Sequence, residues 1–267
     1  MPKIKTSNIE LYYEIHGEGK PIVMISGLGY SLWQWHRMVP FVAQRFQVIT
    51  FDNRGVGQSD KPAGPYTAQM LAADTAGLLE ALGIEKAIIM GHSMGGFVAQ
   101  AIALDFPQKV EQLILCSTGF GGPRHVPATP EAMKMMTDVT VDALTRFKNG
   151  LAVSTAAGWA EKNPDMIEEW TKWRMANPIE PVHYQAQLAI GLGMISEAAA
   201  FETHLSRINV PTLILSGAHD QVVPPENAAL LAEKIPNSQV VIFPDAGHFF
   251  PIEIPEAASR AVIDFAG

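Results

Sequence analysis

A serine flanked by glycines places the strongest constraint on how this chain folds. The apolar run from Ala87 to Met90 stops at Gly91, and a small-residue pattern typical of a helix resumes at Met94. Ser93 therefore lies on a turn from strand to helix, and the residues two before and two after it are both glycine. A side chain at either glycine would crowd the neighbouring backbone of so tight a turn. We expect the turn to present the serine hydroxyl above one edge of a sheet.

The turn alone is compatible with two interpretations. In the first, Ser93 is an ordinary helix-capping residue after a glycine-rich strand. In the second it is a nucleophile, and the backbone N–H of Met94 and the helix N-terminus point at the group that it attacks. Other parts of the chain decide between them, because a nucleophilic serine needs a base, an acid that orients the base, and a second N–H donor.

Apolar runs and helical patterns alternate along most of the chain. The predicted strands lie at 8–16 (with the alternation of an edge strand), 21–25, 46–51, 86–90, 110–116, 210–217 and 238–243. The predicted helices lie at 33–45, 66–82, 93–105, 226–235 and 255–265. Continuous apolar strands separated by helices indicate an α/β fold, in which a mostly parallel sheet is flanked by helices on both faces.

The alternation breaks between about residues 123 and 207, where no good strand pattern occurs. The segment follows the glycine-rich boundary at 119–123, is helical in pattern, and is rich in methionine and tryptophan. We predict a core formed by 1–122 and 208–267, with 123–207 inserted as a helical lid. The insertion either packs simply against the core or lines an adaptable apolar pocket, since thioethers re-pack easily around varied ligands.

Candidate partners for Ser93 follow two of the later strands. Asp220 comes after the strand at 210–217, and His248 comes after the strand at 238–243. Parallel strands bring their carboxyl ends to one edge of a sheet, so we expect these side chains to meet Ser93 there. His248 is the expected base and Asp220 the acid that holds its tautomer. Asp245 is an alternative acid, close to His248 in sequence.

These motifs together resemble the serine hydrolases of the α/β-hydrolase fold superfamily, over nearly the whole chain. The matching segments are 91–96 (Gly-His-Ser-Met-Gly-Gly), 52–59 (Asp-Asn-Arg-Gly-x-Gly-x-Ser), 217–220 (Gly-x-x-Asp) and 247–248 (Gly-His). The order serine, aspartate, histidine is also that of the superfamily. The resemblance implies a sheet of the eight-stranded type, a catalytic triad of Ser93, Asp220 and His248, and a lid at the predicted insertion.

The second N–H donor is expected from the loop after the strand at 21–25. We predict an oxyanion hole formed by the backbone N–H groups of Leu28 and Met94. The superfamily usually has His-Gly before this donor, whereas this chain has Ser26-Gly27. The pattern Leu28-Gly29-x-x-x-x-x-Trp35 resembles the corresponding loop of 3-oxoadipate enol-lactonases, which also lack the histidine. It points to lactone or carboxylic ester chemistry.

The expected substrate pocket combines residues of the loops and of the lid. Its predicted members are Trp35, Met133, Met136, Trp159, Val222 and Phe249. Arg124 and Arg174 are the lid cations considered for binding a carboxylate on the substrate, and the sequence places neither of them clearly.

The charge pattern narrows the range of partners. The net charge is −8, from 19 basic and 27 acidic residues, and the basic residues form no cluster. This argues against nucleic acid or an anionic membrane surface as a partner. The eight histidines are scattered. We therefore expect no metal and no cofactor, and a small molecule as the substrate.

The apolar runs, the first residues and the cysteine content of the sequence indicate a cytoplasmic protein. No apolar run approaches the ~20 residues of a membrane span, and the first five residues lack the apolar core of a signal peptide. The single cysteine, Cys116, has no partner for an internal disulfide and lies in a strand-like apolar run. Oligomeric state is left open.

The sequence thus predicts a serine hydrolase that cleaves carboxylic esters or lactones with small-to-medium apolar acyl groups. Three other activities would use the same triad: a C–C bond hydrolase, a proline iminopeptidase and a cofactor-free perhydrolase. Haloalkane dehalogenases and epoxide hydrolases are disfavoured, because those families have aspartate where this chain has Ser93. A different class of protein also stays open, a ligand sensor that keeps the triad but turns over slowly.

Overall fold

The computed structural model describes residues 2–6, 9–138, 140–196 and 200–267. Its centre is a sheet of eight strands: β1 (Lys3–Lys5), β2 (Glu10–His16), β3 (Lys20–Ile25), β4 (Phe46–Phe51), β5 (Ala87–His92), β6 (Val110–Cys116), β7 (Thr212–Gly217) and β8 (Ser238–Phe243). The strand order is β1-β2-β4-β3-β5-β6-β7-β8. The pairs β1–β2 and β2–β4 are antiparallel, and all the others are parallel. The predicted mostly parallel sheet of an α/β fold is confirmed.

Helices cover both faces of this sheet. One face carries α1 (Val39–Val42) and α11 (Pro255–Ala266), and the other carries α2 (Ala68–Ala81), α3 (Met94–Asp105) and α9 (Glu226–Lys234). In β3, alternate residues enter the two hydrophobic clusters, Ile22 and Met24 on the α1 face and Val23 and Ile25 on the α3 face. Burial on both faces explains why the central strands are continuously apolar in sequence.

The edge next to β2 differs from the prediction. Strand β1 pairs with β2 in the register Ile4↔Leu11, so β2 is not an edge strand. A strand of three residues is too short to produce a recognisable alternation, which is why the sequence pattern missed β1. Residue 8, the first of the predicted strand at 8–16, lies outside the described residues.

The helix predicted at 33–45 is wrong. The structure has a 3₁₀ turn at Leu32–Trp35, and then only the single turn of α1. Pro40 lies in the first turn of α1, where its missing N–H costs nothing. A helix running through Pro40 from Trp33 would lose a hydrogen bond, and the proline ring would clash with the carbonyl four residues earlier.

The described part of 123–207 contains five α-helices and no strand. They are α4 (Pro130–Thr137), α5 (Ala143–Ser154), α6 (Trp159–Lys162), α7 (Pro164–Ala176) and α8 (Pro181–Gly193). The division into core and lid stays a prediction. A further short helix, α10 (Phe250–Glu253), follows β8. None of the helices in the described ranges has the length and apolar character needed to cross a membrane.

Candidate active site

Ser93 occupies a strained turn between β5 and α3. Its backbone angles are φ 55° and ψ −119°, a conformation that L-residues rarely adopt. A Cβ on Gly91 would lie 2.1 Å from the carbonyl oxygen of Gly95, and one on Gly95 would lie 2.3 Å from that of Ile25. Because both contacts are with backbone atoms, only glycine fits at either position.

Two hydrogen bonds from the end of β6 hold the backbone of Ser93. Its N–H donates to the Cys116 carbonyl at 2.8 Å, and its carbonyl accepts from the Thr118 hydroxyl at 2.9 Å. These bonds fix both sides of the strained residue, so the surrounding structure determines its conformation. The turn therefore presents the serine side chain at the carboxyl edge of the sheet.

His248 and Asp220 form a buried pair at the same edge. His248 Nδ1 lies 2.8 Å from Asp220 Oδ2, and the two residues are 3% and 4% exposed. The other carboxylate oxygen accepts the N–H groups of Val222 and Val223 at 2.9 and 2.8 Å. Asp245, the alternative acid, is exposed. The structure thus joins His248 to Asp220, and Nε2 is the ring nitrogen left for another partner.

Ser93 and His248 line one cavity, but no hydrogen bond joins them within the described residues. Bonds between a nucleophile and its base are often long in the absence of substrate and tighten when it binds. The geometry thus brings the three residues to one edge, with the aspartate–histidine bond already formed.

The loop 26–31, which follows β3, is held on both sides of Leu28. Gly27 N–H donates to Gln34 Oε1 at 2.8 Å, and Gly29 N–H donates to Gln187 Oε1 at 2.9 Å. Both glutamines are fully buried. The Leu28 N–H between them has no hydrogen bond among the described residues, and Met94 N–H, at the start of α3, has no acceptor within the helix. Two N–H groups near Ser93 are therefore available to a ligand.

Gln34 also connects loop 26–31 with the histidine segment 244–249. Its Nε2 donates to His92 Nδ1 at 2.7 Å, and His92 Nε2 donates to the His248 carbonyl at 2.8 Å. Burial, aided by repulsion from His248 whenever that ring is protonated, lowers the pKa of His92 well below its usual value, so the His92 ring is neutral. Its partners place the single proton on Nε2.

The spacing of residues in the sequence provided no signal for this network, because its members lie far apart in the chain. Gln34 lies 58 residues from His92, and Gln187 lies 158 residues from Gly29. The one local indication is Gln187 in α8, a glutamine within a mainly apolar helical pattern, because a buried amide needs hydrogen-bond partners.

Glu253 holds the backbone of the histidine segment through hydrogen bonds. Its carboxylate accepts the Gly247 N–H at 3.0 Å and the Ala156 N–H at 2.8 Å. Burial raises its pKa to about 7, reinforced by the charge of Asp220, while the two N–H donors and His248 oppose the shift. The residue therefore ties the backbone beside His248 to the segment between α5 and α6.

Two cavities meet at Ser93. The first, of about 710 Å³ including the part open to solvent, is lined by Ser93, His248, Phe249 and helices α4, α5, α7 and α8. The second, of about 790 Å³, extends from Ser93 along α8 and is lined by Met133. Met136 and Val222 line both. Four of the six predicted pocket residues thus line at least one of these spaces.

Trp35 and Trp159 line neither cavity, which corrects their predicted place in the pocket. Trp35 is fully buried in the hydrophobic cluster on the α1 face, with its ring edge-on to His92 at 6.3 Å. The 3₁₀ turn at Leu32–Trp35 places this side chain on the α1 face of the sheet, away from both cavities. Trp159 opens α6 and packs with Trp170 and Phe147.

The described residues contain no group of three or more His, Cys, Asp or Glu side chains placed to hold a metal ion. Cys116 is free and buried at the end of β6, and burial raises the pKa of its thiol. A thiol of that kind is a poor nucleophile. The chemistry available at this edge is therefore that of Ser93, His248, Asp220 and the two N–H groups.

An eight-stranded, mostly parallel sheet that presents a serine on such a turn beside an aspartate–histidine pair defines the α/β hydrolases. Residues 20–255 match the alpha/beta hydrolase fold family. The chain belongs to this family and is a hydrolase.

Relatives of similar length have several hydrolytic activities. The chain is 29% identical to 3-oxoadipate enol-lactonase 2 of Acinetobacter baylyi, over 97% of this chain and 94% of that one. It is 30% identical to a 2-hydroxy-6-oxononadienedioate/2-hydroxy-6-oxononatrienedioate hydrolase of Paraburkholderia xenovorans, over 96% and 90%. A thermophilic esterase from Thermogutta terrifontis superposes with a TM-score of 0.81 at 31% identity, over 98% and 96%.

Proposed function

We propose that the protein hydrolyses carboxylic esters or lactones through an acyl-enzyme on Ser93. The observation that carries the proposal is the 2.8 Å bond between His248 Nδ1 and Asp220 Oδ2, at the edge where the strained turn presents Ser93. Serine is a weak nucleophile at neutral pH and needs such an oriented base. The esterase and enol-lactonase among the relatives support this class of substrate.

The residues then act in the following sequence. Ser93 Oγ attacks the carbonyl carbon while its proton passes to His248 Nε2, and Asp220 stabilises the imidazolium. The N–H groups of Leu28 and Met94 hold the oxyanion, a contribution of about 2.7–4 kcal/mol for each such donor. His248 returns the proton to the departing alkoxide. Water then attacks the acyl carbon, gives a proton to His248, and releases the acid as Ser93 regains its proton.

The helices at 123–207 are proposed to act as the lid over this reaction. Side chains of α4, α5, α7 and α8 line the first cavity together with Ser93 and His248. Enclosure by such side chains limits the acyl group to small or medium size and excludes bulk water. We also propose a cytoplasmic location, which the single, buried thiol of Cys116 supports.

Cleavage of a carbon–carbon bond is the second candidate, because a relative with 30% identity is named for a dienedioate and trienedioate hydrolase. A panel of p-nitrophenyl esters, lactones and 2-hydroxy-6-oxodienoates distinguishes the two. Wild-type protein is expected to hydrolyse p-nitrophenyl butyrate, and Ser93→Ala is expected to lose at least about 1,000-fold in kcat. Full activity of Ser93→Ala, or turnover of the dienoates alone, would overturn the ester proposal.

A further inference from the structure

Arg174, in α7, projects a positive charge into the cavity that contains Ser93. It is 9% exposed and lines the first cavity. One nitrogen, Nη1, donates to the Gly29 carbonyl, and the guanidinium carbon lies 4.6 Å from the centre of the Tyr30 ring. Its Nε is buried and has no hydrogen-bond partner among the described residues. Part of a buried guanidinium thus stays unsatisfied at a ligand cavity.

No negative charge on the protein balances Arg174. Within the described ranges no carboxylate lies within 4.0 Å of it, and no acidic side chain lines the first cavity. Burial raises the pKa of Tyr30 to about 12 and raises that of Tyr184 as well, so both phenols are neutral. An unpaired buried charge is costly unless a ligand supplies its partner.

Two arginines that do not line the first cavity, Arg54 and Arg124, are paired with carboxylates. Arg54 forms a two-bond ion pair with Asp74, at 2.6 Å for each bond. Arg124 is half-exposed and contacts Glu202 and Glu233 at 3.1 and 3.2 Å. Of the two lid arginines singled out in the sequence, Arg124 therefore lies outside the cavity and Arg174 lies inside it.

A second arginine adds to the positive potential. Arg146 lines the same cavity, and its guanidinium carbon lies 4.8 Å from the centre of the Tyr184 ring. Its Nε and Nη2 donate to the carbonyl oxygens of Asp138 and Val141. The carboxylate of the partly exposed Asp138 accepts from Thr140, and its pKa is lowered mainly by these bonds and also by the Arg146 charge. The cavity thus contains two cationic groups and a serine nucleophile.

We propose that the substrate carries a carboxylate, which binds Arg174 while its ester or lactone carbonyl reaches Ser93. This inference rests on the proposed function and replaces a wholly apolar acyl group with an anionic one, such as the half-ester of a short dicarboxylic acid. Guanidinium and carboxylate form strong charge-assisted hydrogen bonds, and a cavity-lining guanidinium with no carboxylate partner among the described residues is suited to form them with a bound anion.

The kinetic test compares two esters that differ in charge, the mono-p-nitrophenyl ester of adipic acid and p-nitrophenyl hexanoate. The measured quantity is the ratio of their kcat/KM values, because loss of the Gly29 contact affects both esters alike. Arg174→Met is expected to lower the ratio about 10- to 100-fold, and Arg174→Lys less. Arg124→Met, the matched lid control, is expected to leave it unchanged. A ratio that is the same in wild type and Arg174→Met would overturn the proposal and leave Arg174 as a brace of loop 26–31.

A binding test separates this proposal from the ester hydrolysis on which it rests. Calorimetry with Ser93→Ala is expected to detect adipate and not hexanamide, with adipate binding weakened at least about 10-fold in Ser93→Ala/Arg174→Met. Equal binding by the two variants, or none by either, would contradict an anion site whatever the activity assay gives. If circular dichroism finds the methionine variant unfolded, Ser93→Ala/Arg174→Gln, which also removes the charge, replaces it, with the same outcomes.

Discussion

Gln34 Nε2 lies 2.7 Å from His92 Nδ1, and this bond links the two loops that the proposed reaction needs. On one side Gln34 holds the Gly27 N–H next to Leu28, and on the other His92 holds the His248 carbonyl. The chain lacks the His-Gly pair usual at the start of this loop. A buried amide and a neutral imidazole perform the bracing instead.

Gln34→Leu tests the bracing. The substitution removes both amide bonds while keeping a buried side chain of similar size, so Gly27 N–H and His92 Nδ1 lose their partners. We expect kcat for p-nitrophenyl butyrate to fall about 10- to 100-fold with a smaller change in KM. The displaced Leu28 N–H would bind the oxyanion less well, and this bond matters mainly in the transition state. Stopped-flow or steady-state assays measure this. Gln44→Leu, at an exposed site, is the control; equal kinetics for both variants would show that the network has no catalytic effect.

Asp220→Asn tests the choice of acid. An amide at this position leaves the volume unchanged but favours the wrong histidine tautomer, so kcat is expected to fall by about three to four orders of magnitude. Asp245→Asn alters the exposed alternative and should keep near-wild-type kcat. A large loss in the Asp245 variant with little change in the Asp220 variant would reverse the assignment.

Glu253→Gln tests a pH-dependent contribution to stability. The folded pKa of Glu253 is raised from 4.5 to about 7, so the folded protein holds a proton that the unfolded chain has released between these values. The bound proton therefore stabilises the folded state fully below about pH 4.5. This stabilisation, of up to about 3 kcal/mol, is lost as the pH rises through about 7. Urea unfolding at several pH values gives the free energies.

The measured quantity is the wild-type free energy of unfolding minus that of Glu253→Gln. Titrating groups that do not interact with Glu253 cancel in this difference, which is expected to decline between pH 4.5 and 7.5. Glu256→Gln, an exposed neighbour in α11, should give a flat difference. A flat difference for Glu253→Gln as well would mean that its carboxyl titrates near its ordinary value.

Gly91→Ala tests the steric demand of the turn. The new Cβ would overlap the Gly95 carbonyl at 2.1 Å, so we expect a loss of about 3 kcal/mol in the free energy of unfolding together with a loss of activity. Gly193→Ala provides the contrast, since nothing lies within 4 Å of its added Cβ. That variant should be neutral or slightly more stable. Thermal and urea unfolding compare the two, and equal stabilities would refute the steric account.

Local patterns predicted the features that depend on local sequence. The sheet, its apolar strands and the glycine-bounded turn at Ser93 follow from runs of residues that are contiguous in sequence. The pairing of Asp220 with His248 depended on an argument about strand ends and not on spacing. The sequence did not predict the hydrogen bonds of Gln34 and Gln187 or the position of Trp35. Each depends on how segments that are far apart in sequence pack together.

The unpaired charge of Arg174 shows the same limit. The sequence offered Arg124 and Arg174 as equivalent lid cations, and only their burial and partners distinguish them. The sequence shows which cationic residues are present but not which of them have acidic partners. Whether an acidic partner is near depends on the packing of α7 against loop 26–31.

Labelling the protein with a fluorophosphonate and locating the adduct by peptide mass spectrometry tests directly whether Ser93 is the nucleophile. One modified residue is expected, Ser93, with labelling at least about 100-fold slower in His248→Gln because the base is lost. An adduct on any other residue, or labelling of Ser93→Ala at the wild-type rate, would contradict this assignment.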